Sequence, residues 1–147
     1  MVSPFLEFKG DTNMLELINK TSQTVSAAGV ISLGSTTITD GANRMYATDG
    51  NTIVFPYPGK YRISALFNVE NTASAVSNVT IELYANGSAI GIPITVTVPE
   101  TTGYSEIVID KTVNIRAAAT TSTASVQFIT STGATVTGSL VDVYKRS

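Results

Sequence analysis

The groups able to do chemistry in this chain are few and of one kind. Its 147 residues include no Cys, no His and no Trp. Without Cys there is no thiol nucleophile, no disulfide and no thiolate ligand for a metal. Without His the usual general base near neutral pH is missing, along with the commonest metal ligand, so a Ser-His-Asp triad and a His-based metal centre are both excluded. Carboxylates remain. Glu100 and Glu106 flank the turn from Pro99 to Gly103, and a carboxylate pair held about 5–9.5 Å apart is the machinery of glycoside hydrolysis. Such clefts also tend to be lined with aromatics, which a chain without Trp is poorly equipped to supply. The pair reads as two solvated carboxylates beside a loop. Asp40, Asp49 and Asp110 are isolated in the sequence, and no calcium-loop pattern of alternating Asp and Asn followed by Gly is present. The expectation is a protein that is not an enzyme, with no cofactor and no bound metal.

Recognition chemistry is also sparse. Asn19-Lys20-Thr21, Asn78-Val79-Thr80 and Asn86-Gly87-Ser88 match the glycosylation sequon. No basic and then apolar leader is visible after Met1, so all three are read as ordinary turn and strand residues. Tyr46, Tyr57 and Tyr104 stand near turns and are the aromatics best placed to touch a ligand, whereas Tyr61 and Tyr144 fall in strand-like runs and are expected in the core or at an interface. The nine Lys and Arg are scattered, and the net charge is −2. A nucleic-acid partner is therefore not expected. No apolar run approaches the roughly 20 residues of a membrane-spanning helix, so no membrane partner is expected either. Charged residues are only 14% of the chain, against about 25% in an average soluble domain. Either Ser, Thr and Asn coat the surface, or part of that surface is buried against other subunits; the second reading is preferred.

The elements that must position these residues are strands. Tyr61, Ile63, Ala65, Phe67 and Val69 alternate with Arg62, Ser64, Leu66, Asn68 and Glu70; Val79, Ile81 and Leu83 alternate with polar neighbours; Ile90 to Val98 is apolar at every second position. Pro93 has no N–H to donate, which places its strand at a sheet edge or at a bulge. Ile107 and Ile109 alternate with Glu106, Val108 and Asp110, and Ala124, Val126 and Phe128 make a further short run. The last strand, roughly Thr135 to Tyr144, is apolar on both faces near Leu140, Val141 and Val143, as in the middle of a sandwich or at an interface. Asp49-Gly50-Asn51, Tyr57-Pro58-Gly59 and Ser131 to Gly133 are turn signals, and Asn86-Gly87 is the best hairpin cue. Such strands, with no helical period between them, predict an all-β antiparallel sandwich. Leu15 to Asn19 is read as its first strand. Residues 1–13 form an N-terminal arm whose Phe5, Leu6 and Phe8 either fold back or dock on another protein, and residues 14–147 form one domain.

One stretch carries a family resemblance. Phe55-Pro56-Tyr57-Pro58-Gly59-Lys60-Tyr61-Arg62-Ile63 resembles the Pro-Gly-x-Tyr entry to a central strand in the complement-globular-head and tumour-necrosis-factor-like jelly rolls. Val79 to Gly87 is similar to that family's next strand and hairpin. Asn19 to Val25 followed by Gly29 to Leu33 is similar to the first strands of short bacterial and phage members, and Ser139 to Tyr144 to the buried last strand. The resemblance covers residues 15–146. It lacks the aromatic-rich ending of animal members, so their receptor and immune roles are not carried over. It implies a homotrimer of jelly rolls packed around a threefold axis by inner-sheet residues, with Tyr61, Leu140, Val141, Val143 and Tyr144 at the trimer interface. By the same analogy the chain is a phage virion structural protein made in the host cytoplasm. It would be a capsid decoration or head-fibre protein on the capsid surface, attached to the major capsid protein or another virion protein through Phe5, Leu6 and Phe8. The alternative is a receptor- or glycan-binding head, with loops around Tyr46, Tyr57 and Tyr104 meeting a host surface glycan.

Overall fold

The computed structural model describes residues 14–40, 45–71, 77–85, 87–99, 103–115, 124–130 and 133–146, with backbone alone at 38–40, 77, 91, 92 and 124. In chain order the strands are β1 (Met14–Asn19), β2 (Gln23–Val25), β3 (Gly29–Val30), β4 (Ser35–Asp40), β5 (Tyr46–Thr48), β6 (Thr52–Phe55), β7 (Gly59–Asn71), β8 (Ser77–Ala85), β9 (Ser88–Val98), β10 (Gly103–Ile115), β11 (Ala124–Thr130) and β12 (Ala134–Lys145). They make two sheets. One runs β10-β7-β12-β1-β4 with β2 beside β12; the other runs β5-β6-β11-β8-β9 with β3 beside β11. Every ladder is antiparallel. This is the expected jelly-roll sandwich.

Alternation decides which face of each strand turns inward. On β7 the odd residues Tyr61, Ile63, Ala65, Phe67 and Val69 are buried, and on β12 Val136, Val141 and Val143 join them. The opposite sheet supplies Ile53, Phe55, Ile81, Val126 and Phe128. Two aromatic pairs tie the layers together: Phe67 meets Phe128 with ring centroids 5.1 Å apart, and Phe55 meets Tyr61 at 4.6 Å. These tilted geometries suit the ring quadrupoles and add about 0.5–1.5 kcal/mol each beyond their area burial.

The turn chemistry follows the sequence. Ala85 pairs with Ser88 across the Asn86-Gly87 hairpin, and Gly87 takes a left-handed φ of 81°. Pro93 is exposed on β9, the edge strand of its sheet. The segment from Gly29 to Leu33 differs from the continuous strand that was expected. Only Gly29 and Val30 join a ladder, although Ile31 and Leu33 are fully buried. The Gln23 side chain grips Ser32 from both sides, accepting from its N–H (2.9 Å) and donating to its carbonyl (2.8 Å). These side-chain bonds take the place of a ladder partner for Ser32. Gly34 then turns the chain under β1 at φ 81°, where a Cβ would meet the Ile18 carbonyl oxygen and lie 2.7 Å from the Asn19 Cα.

Candidate functional site

The inward faces of the strands are spent on the core, so a site on the sheets themselves must be built on the outward ones. On the β10-β7-β12-β1-β4 sheet the registers place Val108 opposite Leu66, Leu66 opposite Leu140, and Leu140 opposite Ile18. Partners in an antiparallel ladder share a face. Four apolar side chains therefore stand in one row across four adjacent strands, about 14 Å from end to end at the usual strand spacing. Val108 is 55% exposed, and Leu66, Leu140 and Ile18 are half-buried. A groove of about 310 Å³ opens beside the row, lined by Ile18, Leu66, Asn68, Gly138 and Leu140, with Lys20 on its wall. The bulge between Val136 and Gly138 shapes this groove; in it the Ser139 hydroxyl is buried with no hydrogen-bond partner.

The next row is acidic. Asp110 lies opposite Ser64, Ser64 opposite Asp142, and Asp142 opposite Glu16. Thr37 donates to the Glu16 carboxylate at 2.8 Å. Burial, reinforced by hydrogen bonding with Glu16 and by its negative charge, pushes the Asp142 carboxyl up to about 6. The row beyond carries Arg62 opposite Tyr144 and Tyr144 opposite Met14. Arg62 reaches diagonally to Asp110, with Nε 2.9 Å from Oδ1 and Nη2 2.5 Å from Oδ2. That bidentate bond holds the Asp110 carboxyl below its ordinary value and raises the guanidinium. The Tyr144 hydroxyl is raised by burial and by the nearby negative charge of Asp142 and Glu16.

The outward face of the other sheet is richer in hydrogen-bonded polar pairs. Thr80 and Thr95 hydroxyls bond at 2.7 Å, Thr97 donates to Asn78 at 3.0 Å, and Gln127 donates to Thr52 at 2.8 Å. These hydroxyls and amides share the face with Glu82 and with half-buried Val54 and Ile129, in a chain with 37 Ser and Thr residues.

Three of the five residues expected at a subunit interface are elsewhere. Tyr61, Val141 and Val143 are wholly buried inside the single chain and have no surface to give a second one. The Tyr61 hydroxyl donates to the Tyr57 carbonyl at 2.8 Å, which anchors the loop that enters β7. Leu140 and Tyr144 do stand on the outward face, with Ile18 and with Leu66 and Val108, the two that the alternation had placed among polar flanks. The tyrosines expected at ligand loops are exposed, at 48% for Tyr46, 50% for Tyr57 and 64% for Tyr104, but they are not together. Tyr57 precedes the start of β7, and Tyr46 is opposite Val54 near that same end. Tyr104 is opposite Glu70 at the far end of β7, about 36 Å away at the rise of a strand. Glu106 is exposed on β10. Glu100 and the arm residues Phe5, Leu6 and Phe8 lie outside the described residues. Among the described residues no group of three or more acidic side chains is arranged to hold a metal ion, and no helix is long and apolar enough to cross a membrane.

No family model and no curated protein matches the sequence. Solved structures do match the fold. Eiger, a tumour necrosis factor from S. frugiperda, aligns with a TM-score of 0.67 at 7% identity, covering 93% of this chain and 94% of that one. The PRD1 vertex protein P5 aligns with a TM-score of 0.59 at 16% identity, covering 94% and 99%. This chain has the tumour-necrosis-factor-like jelly-roll fold. The globular domain of zebrafish complement 1qA shares the same jelly roll, with a TM-score of 0.54 at 5% identity over 92% and 98% of the two chains. At these identities the likeness is one of fold, and what the jelly roll does must be argued from its own surface.

Proposed function

We propose that this chain is a structural building block of a phage virion surface: a homotrimer of jelly rolls that serves as a capsid decoration or head-fibre protein and performs no catalysis. The apolar row Ile18–Leu140–Leu66–Val108 carries this reading. A lone soluble domain seldom lines up four apolar side chains across the middle of a solvated sheet when charge is the usual covering. Its half-buried members gain by leaving water, and the second copy is the occupant that the fold's resemblance implies. The hydroxyl-rich opposite sheet would face solvent, which suits a chain so poor in charge. The likeness to a phage vertex protein supports the virion as the setting. Residues 1–13, with Phe5, Leu6 and Phe8, would attach the trimer to the major capsid protein or another virion protein.

Assembly works here by shape and apolar burial. Mass measurement of the native species tests it: three chains are expected, and a monomer at all concentrations would overturn the reading. Deleting residues 1–13 should leave a folded trimer that no longer joins the particle, and unimpaired incorporation would remove the arm from the proposal. Exposed Tyr46 and Tyr57 at one end of the sandwich support a second reading, a glycan-binding head. Binding on a glycan array that is lost in a double Tyr46→Ala, Tyr57→Ala variant would favour it.

A further inference from the structure

The acidic row touches the apolar row, and that adjacency has consequences for assembly. Asp142 and Glu16 are direct partners across the β12–β1 ladder, one step along from Leu140 and Ile18. Side chains directly opposite lie about 4.5–5.5 Å apart at Cβ, and like charges there repel. One Asp142 oxygen, Oδ1, is buried and meets no hydrogen-bond partner. The groups facing the pair are Tyr144 from its own strand, Ser64 and Arg62 from β7, Asp110 from β10 and Thr37 from β4. Asp40 on β4 is opposite Met14. Arg62 is the cation of this set, and both of its described contacts go to Asp110. Among the described residues, the two carboxyls thus share a half-buried place with one hydroxyl donor on Glu16 and no cation of their own.

We propose, resting on the homotrimer reading above, that assembly through this face is linked to protons: closing the outward face takes up a proton on each Glu16–Asp142 pair, so the trimer tightens on acidification and loosens on alkalinisation. Covering the apolar row with a second chain withdraws water from the adjacent pair as well. Water is what screens the two negative charges in the single chain, and its loss favours the state in which one carboxyl is protonated and donates to the other. The assembled form then holds more protons than the separated chains, and linkage makes the association constant fall as pH rises through the titration of the pair. The single-chain elevation of the Asp142 carboxyl has the same origin on a smaller scale.

The experiment is sedimentation velocity on the full chain, from nanomolar to micromolar, at pH 5, 6, 7 and 8 and fixed ionic strength, for wild type, Asp142→Asn and Glu16→Gln. If each of three pairs shifts by about one pH unit on assembly, the trimer constant drops about 10³-fold across this range and the half-assembly concentration rises about 30-fold. In either variant the pH dependence should flatten to less than about threefold, with the trimer at pH 8 at least as tight as wild type at pH 5. The two variants are independent, so one suffices if the other fails to fold. A wild-type trimer whose half-assembly concentration does not move with pH overturns the proton linkage while leaving the trimer standing. An unchanged slope in folded Asp142→Asn and Glu16→Gln does the same. A monomer at every pH and concentration overturns the homotrimer reading and this inference with it.

Discussion

Val108 offers a clean perturbation of the proposed assembly, because it can be altered without touching the core. It stands on β10, the edge strand of its sheet, 55% exposed, while its chain neighbours Ile107 and Ile109 point inward and are buried. Replacement by Thr keeps the β-branch and the strand preference but exchanges a methyl for a hydroxyl. Fully burying a Val side chain is worth about 1.5–3 kcal/mol, and roughly half of that gain is still open to Val108, or about 1 kcal/mol per copy. Three copies make the expected loss about 3 kcal/mol per trimer, about a hundredfold in the trimer constant. The assay is sedimentation equilibrium over a concentration series. Urea unfolding of the monomeric form serves as the control and should shift by less than about 0.5 kcal/mol, as for a surface site. A trimer constant unchanged to within threefold, with the control also unchanged, would refute the placement of the interface on this row. The same substitution on the hydroxyl-rich sheet, Val96→Thr, is not an equivalent control, because Val96 packs against the core.

Three further outcomes follow from the packing. Gly34→Ala is expected to cost about 3 kcal/mol or more in urea unfolding, because its Cβ would strike the backbone of β1 at a left-handed φ; Gly87→Ala, at the same φ of 81° but with open space around it, should cost about 1 kcal/mol. Tyr61→Phe removes the hydroxyl that holds the Tyr57 carbonyl and should lower stability by about 1 kcal/mol, seen as a fall of a few degrees in Tm. Asp142→Asn should make the single chain more stable at pH 7.5 by about 1 kcal/mol, after discounting for solvent screening of a half-exposed group. The sign follows from linkage. The carboxyl rises from 3.8 to about 6 on folding, so the native state holds the extra proton, wild-type stability falls as pH rises through that window, and the advantage of Asn vanishes below about pH 4.

Much of the sandwich was legible because strand alternation and burial are the same statement read twice. The Tyr61-to-Val69 run, the Asn86-Gly87 hairpin and the edge position of Pro93 all followed from period and turn chemistry. The proposed assembly face was legible too, but as a blemish. Leu66 and Val108 broke the polar flank of otherwise clean alternations, and each looked like noise within its own strand. Only the register, which aligns Leu66 with Val108, Leu140 and Ile18, turns separate exceptions into a row. Register depends on long-range pairing that no local pattern encodes. The same gap explains the misplaced Tyr61, Val141 and Val143. An apolar run on both faces of β12 says that both faces are covered, not which of them is covered by the chain itself. The Gln23 clasp on Ser32 was invisible for a related reason: one side chain replaced a ladder, and no periodicity marks that substitution.

The place of β12 bears on how the molecule is made. This last strand lies between β7 and β1, pairing Lys145 with Tyr61 at one flank and Met14 with Tyr144 at the other. During synthesis β1 must wait, with its apolar side uncovered, until β12 has been produced. An incomplete polypeptide would carry two long unpaired strand edges in the centre of its sheet, the kind of surface that drives aggregation. Completion of the fold thus waits for the synthesis of β12. The outward row shared by Ile18, Leu140, Leu66 and Val108 cannot form until β12 supplies Leu140, so chains without β12 would be barred from the proposed assembly.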